Sequence, residues 1–390
     1  MVEVYTALFA QSSGFFSLPE ESSQKTSVKA ISGPAASEEG YSNITDEKSI
    51  LTIKTSSHCP VILQEEVKTA WKLTGTLLSK ILESIAYTLD LEPDVFSTFA
   101  DPCVSLPQHT HTPTLLRMFR YDRPPGPEAK VNAERHKDLG LLSLVVGHSP
   151  GLQVLEAVSG MWVPIEGDQA LPAASKARSG GLTATLLVGE TLGFLTRGRY
   201  KPGVHGVVCA SMEAEMHRYS IVFALRPAVA PIFTQRFESE IVGKFEPEEQ
   251  ADGESSFELF ERIRKSHWNV NITPEIREMQ REAQRQRKLA SDETSESIHG
   301  RLLNIHLYYG FHPRFIKIHP HAATPSAKRG SSHRPKSFMT QPVEFSPTIT
   351  RPLPPSNLLL SAHSLQQGLV TTLYSHMTNP IRRSSMSIVE

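Results

Sequence analysis

His136-Lys137-Asp138-Leu139-Gly140-Leu141-Leu142-Ser143-Leu144-Val145-Val146 sets two potential metal ligands directly ahead of an apolar run. Residues i and i+2 of a strand share a face. The spacing therefore predicts that His136 and Asp138 converge on one ion, with Leu139 to Val146 continuing their strand. A third donor is expected from a neighbouring strand, and His205 is suited to it. It follows the turn-like Lys201-Pro202-Gly203 and precedes Gly206-Val207-Val208-Cys209. The interval between the two histidines leaves room for about three strands and their loops. Two histidines and one carboxylate are the ligand set that holds iron(II) on one face and leaves other positions open. Arg218 and Ser220 are again i and i+2, on a strand continuing as Ile221-Val222-Phe223-Ala224-Leu225. An unpaired buried guanidinium is costly, so an inward Arg218 needs a carboxylate. That carboxylate belongs either to a bound acid, with Ser220 adding a further bond, or to an Asp or Glu elsewhere in the chain. The strand alone does not choose between them.

In a chain with 16 histidines, about one His-x-Asp is expected by chance. The weight therefore rests on the order of the pieces and the strands that carry them. His109 with His111, and His319 with His321, have no Asp, Glu or Cys at ligand spacing and read as incidental; His148 reads as a turn residue. Short aliphatic and β-branched runs recur at Leu115–Tyr121, Leu141–Val146, Leu152–Ala157, Trp162–Ile165, Thr183–Val188, Gly206–Ala210 and Arg218–Leu225. Turn residues separate them, which predicts an antiparallel jelly roll. Upstream, an apolar piece spans Leu8 to Leu18 and Ser22 to Tyr41 reads as loop. A helix is expected over Glu65 to Leu91, with Val67, Leu73, Leu77, Leu78, Ile81 and Ile85 on one face. Helices are also expected over Phe257 to Trp268 and Pro274 to Leu289. From Ser291 the Pro-, Ser-, His- and Arg-rich composition predicts a disordered tail.

The bulk properties narrow the function classes. Hydrophobic content of 39% with 21% charged residues fits a soluble globular protein with a lean core, so part of the chain is expected to be unpacked. A net charge of −1 gives no basis for a nucleic-acid or membrane partner. No apolar run approaches the roughly 18 residues of a membrane span, and the start lacks a secretory leader. Cys59, Cys103 and Cys209 form no readable framework, so a reducing, cytoplasmic setting and a monomer are expected.

Taken together, the text from about Leu115 to Pro227 resembles the iron(II)- and 2-oxoglutarate-dependent oxygenases of the isopenicillin N synthase-like group. Leu115-Leu116-Arg117-Met118-Phe119-Arg120-Tyr121 is similar to the strand before the metal site. His136 to Leu144 is similar to the metal strand, and Gly151 to Leu155 with Gly160 to Pro164 to the next hairpin. Val188 to Leu192 and Thr196 to His205 are similar to the approach to the distal histidine, and Arg218-Tyr219-Ser220 closes the set. Phe15 to Glu21 and the 65–91 helix resemble the N-terminal support region. His205 and Arg218 lie a few residues further apart than is usual, so a longer turn is expected around Met212 to Met216.

The resemblance implies a double-stranded β-helix core over 109–231, a partial N-terminal helical support region over 1–108, C-terminal helices over 232–290, and a disordered tail over 291–390. It implies Fe(2+) held by His136, Asp138 and His205. It implies 2-oxoglutarate bound through Arg218 and Ser220, with Tyr121 as a further hydrogen-bond partner and O2 as co-substrate. No catalytic residue is implied beyond the metal centre. The implied reaction oxidises a small organic molecule, by hydroxylation, desaturation or cyclisation, in specialised metabolism, while 2-oxoglutarate becomes succinate and CO2. Two other readings remain open: an iron-dependent oxidase that does not use 2-oxoglutarate, and a truncated non-catalytic relative acting as a binding module.

Overall fold

The structure is a computed structural model. It describes residues 1–30, 38–100, 104–110, 112–124, 126, 128–157, 159–166, 182–210, 216–247, 249–265, 271, 273–283, 285–286, 371–373 and 386–388.

Two antiparallel sheets build the core. The larger runs in the order β1-β2-β3-β10-β5-β8-β11-β12 and the smaller β4-β9-β6-β7. The larger sheet comprises β1 (Gly40–Ile44), β2 (Lys48–Ile53), β3 (Leu115–Asp122), β5 (Leu142–Gly147), β8 (Thr183–Val188), β10 (His217–Leu225), β11 (Thr371–Leu373) and β12 (Met386–Ile388). The smaller comprises β4 (Lys130–His136), β6 (Leu152–Leu155), β7 (Trp162–Pro164) and β9 (His205–Cys209). Every residue of β5 is buried, as expected of a strand covered on both faces. Phe119, Tyr121, Val145 and Leu187 of the larger sheet meet Ala133, Leu152, Val154 and Val207 of the smaller in one apolar cluster. This two-layer arrangement is the jelly roll that the strand spacing predicts.

The outer face of the larger sheet is covered by helices. The expected long helix is α3 (Gln64–Thr88), which buries Val67, Ala70, Trp71, Leu78, Ile81, Leu82 and Ile85. Leu73 and Leu77, expected on the same stripe, are only half-buried. The indole of Trp71 meets the ring of Phe223 on β10 edge-on, with centroids 4.9 Å apart. Helix α1 (Val2–Ser17) buries Tyr5, Leu8, Phe9, Phe15 and Phe16, and its Tyr5 hydroxyl is bonded to Thr74 of α3 (2.7 Å). A short helix α2 (Ser23–Thr26) follows. The 1–108 stretch is thus not helical throughout. Its hairpin β1–β2 pairs onto β3 from Lys48↔Tyr121 to Ile53↔Leu116. The hairpin turn contains Asp46 at φ 60°, a left-handed position to which Asp is suited.

Past β10, α4 (Glu190–Leu195) having come earlier between β8 and β9, helix α5 (Ser256–Lys265) and a helical stretch over 274–280 replace the strands. The expected tail falls largely outside the described residues. The exceptions are β11, which pairs with β8 from Thr371↔Leu186 to Leu373↔Ala184, and β12, which pairs with β11. The longer turn expected around Met212 to Met216 also lies almost wholly outside them.

Two measurements test this packing. Trp71→Ala is expected to cost about 3–5 kcal/mol, the usual range for truncating a buried aromatic, read as a lower denaturant midpoint at unchanged m-value; a loss below about 1 kcal/mol would contradict the packing. The second concerns Lys48, fully buried on β2 with its Nζ donating to the Asn132 carbonyl (3.0 Å). Burial, reinforced by Arg277, pushes its amine down to about 7. The unfolded chain keeps that proton to about pH 10.4, so this group adds stability as pH rises from about 7 to about 10. The wild-type stability minus that of Lys48→Met is therefore expected to grow across that window in urea titrations. A pH-independent difference would show that the amine is not held this way.

Candidate metal and acid-binding site

Antiparallel pairing of β4 with β9 sets His136 directly opposite His205, with the ring centroids 4.3 Å apart. On its other side β9 pairs with β6, placing Val154 beside His205. Asp138 is not on the strand of His136. Strand β4 ends at His136, and Asp138 sits in the turn through which the chain crosses to β5 in the other sheet. The two side chains converge through that turn rather than through the pleat. Among the described residues, four strands, not three, separate the histidines.

Helix α4 and the residue ahead of it fix the turn. The amides of Glu190 and Thr191 donate to the carbonyls of Asp138 (2.7 Å) and Leu139 (3.2 Å), and the amide of Gly189 donates to Leu141 (3.0 Å). The Thr191 hydroxyl also donates to Leu139 (2.6 Å).

One donor atom from each of His136, Asp138 and His205 lies within 4.8 Å of the others. His136 Nδ1 donates to the Glu134 carbonyl (2.7 Å), and His205 Nδ1 donates to Gly203 (3.1 Å). With Nδ1 protonated in both rings, Nε2 carries the lone pair, which is the tautomer a metal takes. His205 Nε2 stands 3.9 Å from Asp138 Oδ1, while Asp138 Oδ2 is buried with no hydrogen-bond partner. Burial pushes the Asp138 carboxyl up, but the neighbouring His205 and His136 outweigh it and hold it below its ordinary value. A half-buried carboxylate whose Oδ2 is inaccessible and unused, between two oriented imidazoles, fits a divalent cation.

The same cavity continues along the inner face of β10. Arg218, Ser220, Val222 and Ala224 line it from that strand, Arg226 from the residue just after it, and Leu115, Arg117, Phe119 and Tyr121 from β3. Here the i, i+2 expectation holds. Arg218 is completely buried. Its Nη2 donates to both oxygens of Glu166 (2.9 and 2.8 Å), its Nε to the Ser149 carbonyl (3.1 Å), and its Nη1 has no partner. Burial works against the guanidinium's charge, but the Glu166 carboxylate more than offsets it and raises the Arg218 pKa. Tyr121 lies across from Arg218 in the β3–β10 register. Its ring stacks on Phe119 at 5.2 Å, and burial raises its phenol pKa, so it stays protonated. At the opposite end Arg226 is ion-paired with Glu38 (2.6 Å), and Arg117 lies 3.6 Å from the same carboxylate.

Glu166 was not legible as a site residue. It follows β7 as an ordinary polar turn residue, 52 positions from Arg218, and no spacing rule joins them. The other histidines stay apart. His148 is exposed at a turn and hydrogen-bonded around Tyr219; His111, His319 and His321 lie outside the described residues.

His205→Ala and Asp138→Ala are each expected to abolish stoichiometric iron(II) binding in anaerobic calorimetry. His148→Ala should leave it intact. Full binding in either ligand variant would refute the three-donor site.

Residues 112–227 match the sequence profile of the 2OG-Fe(II) oxygenase superfamily. Over 142 residues the chain is 30% identical to "Oxidoreductase vrtI" of Penicillium aethiopicum, covering 36% of this chain and 31% of that protein. Over 168 residues it is 29% identical to "2-oxoglutarate-dependent dioxygenase frbH" of Dothideomycetidae sp. (strain 11243), covering 42% and 45%. The matched segments thus span less than half the length of these relatives. Among solved structures, the crystal structure of JOX2 in complex with 2OG, Fe and JA is similar in fold, with TM-score 0.50 at 18% identity, covering 70% of this chain and 75% of that one. Residues 112–227, which carry the His136, Asp138, His205 cluster and most strands of the jelly roll, are thus similar to the 2OG-Fe(II) oxygenase superfamily.

Proposed function

We propose that the protein is an iron(II)- and 2-oxoglutarate-dependent oxygenase acting on a small organic molecule. The single observation that carries this reading is the continuity of one cavity. It joins the three-donor cluster to a buried arginine with an unpartnered Nη1 and to Ser220, two residues on along the same strand face. Iron(II), when bound, supplies oxygen activation coupled to conversion of 2-oxoglutarate to succinate and CO2.

The chain's own residues bind, orient and exclude water. His136, Asp138 and His205 would hold the cation, their orientation set by the Glu134, Gly203 and Asp138–Glu190 backbone bonds. Arg218 Nη1 and the Ser220 hydroxyl receive the distal carboxylate of the co-substrate, and protonated Tyr121 is a further donor beside them. Leu115, Phe119, Val145, Leu152, Val207 and Val222 give the cavity an apolar wall, which keeps bulk water from the reacting groups. No side chain acts as nucleophile or general base. The oxidation of the substrate is a hydroxylation, desaturation or cyclisation, and we infer a substrate of specialised metabolism and an isopenicillin N synthase-like placement from the sequence text of 115–227. A cytoplasmic site of action is supported by the two buried, unpaired thiols, Cys59 and Cys209.

One observation favours a second reading, an iron-dependent oxidase that does not use 2-oxoglutarate: Arg218 already faces an internal carboxylate. The test is succinate release from 2-oxoglutarate by the full-length, iron(II)-loaded protein. Succinate formation that is lost in Arg218→Met is expected. Oxygen consumption indifferent to 2-oxoglutarate would favour the oxidase, and no binding of iron(II) at all would remove both.

A further inference from the structure

We propose that Glu166 is a built-in competitor at the co-substrate seat: it shares Arg218 with the distal carboxylate of 2-oxoglutarate, and so weakens 2-oxoglutarate binding and sets how strictly the site demands that carboxylate. The inference rests on the functional reading above. An arginine that receives a carboxylate ordinarily offers a two-pronged edge with full positive charge. Here Nε is committed to the Ser149 carbonyl and Nη2 to both oxygens of Glu166. Only Nη1 is left, buried and without a partner.

The arrangement is held rigidly, so Glu166 is a fixed wall of the seat and does not yield to the incoming acid. Its Oε2 also accepts from the Leu152 amide (2.8 Å), and its side chain is 3% exposed. Two glycines make the room. A Cβ on Gly147, which pairs with Ser220 across β5 and β10, would collide with Glu166 Oε1; one on Gly151 would stand 2.5 Å from Arg218 Nε. The Arg218–Glu166 pair is therefore neutral before any ligand arrives. An entering dicarboxylate meets a one-pronged donor plus Ser220, and a fixed like charge just beyond it. Glu166 is a specificity-determining residue that acts through Arg218 and reacts with nothing.

The test is a set of calorimetric titrations on the full-length, iron(II)-loaded protein under anaerobic conditions. The ligands are 2-oxoglutarate and 2-oxopentanoate, which keeps the keto acid but lacks the distal carboxylate. Glu166→Gln keeps the shape and one acceptor oxygen, enough for one bond from Arg218 Nη2 and the bond from the Leu152 amide, while removing the charge and the second acceptor. It is expected to tighten 2-oxoglutarate about tenfold or more, the scale of relieving one like-charge contact in a partly screened site, and to leave 2-oxopentanoate unchanged. If the wild type binds 2-oxoglutarate and Glu166→Gln binds it equally or more weakly, Glu166 only positions Arg218 and the proposal is overturned with the oxygenase reading intact. If both ligands tighten alike, the distal seat is not what changed, and the proposal again falls. If iron(II) binds but neither protein takes 2-oxoglutarate, the co-substrate reading fails with it. Glu166→Asp, which restores the charge on a shorter arm, is expected to return the affinity towards the wild-type value. Persistence of the tight binding in that variant would also overturn the proposal.

Discussion

The two-sidedness of β10 is the constraint on which the rest of the molecule depends. Paired with β3 on one side and β5 on the other, it turns Ile221, Phe223 and Leu225 outward into the helix-covered core and Arg218, Ser220, Val222 and Ala224 inward to the cavity. Because the side-chain period of a strand is two, a one-residue slip would move every one of these to the wrong face. The aromatic packing of Phe223 on Trp71 and the polar row at the cavity thus enforce each other. The register that buries the core is the register that presents the arginine.

A buried guanidinium then dictates its surroundings. Removed from water without a partner it is prohibitively costly, and the fold meets that demand with Glu166, a carbonyl from the turn after β5 and two glycines that clear the space. The leftover Nη1, like the leftover Oδ2 of Asp138, marks where the protein's own hydrogen bonding stops. Asp138 and Arg218 line the same cavity, so it carries a carboxylate at one point and a guanidinium at another.

The cluster of His136, Asp138 and His205 was legible in the sequence because it consists of rare residues in a fixed order, and the strand runs around it were legible because each carries a period-two or fully apolar pattern. The elements that were missed lack those signals. Strand β4, Lys-Val-Asn-Ala-Glu-Arg-His, is polar and lies at the edge of the smaller sheet, with bulges between Val131 and Ala133 and between Ala133 and His136. Hairpin β1–β2 hides in a polar stretch and is fixed by pairing onto β3, some 70 residues further on. The geometry inferred for His136 and Asp138 also differed, since a strand end and a turn bring the two together as readily as a pleat does.

By itself the sequence determined which groups are available to this protein: the strands of a jelly roll, two histidines and an aspartate of the kind that ligates metals, and an arginine and a serine, all in covalent order along one chain. Only the tertiary structure decided how those groups are used. It set His136 against His205 through strand pairing, held Asp138 from the start of α4, and resolved the open question of what Arg218 faces. It faces Glu166, with one nitrogen to spare. The physical reason is that a buried charge takes the nearest complementary group in space, and nearness between residues 52 positions apart is a property of the fold.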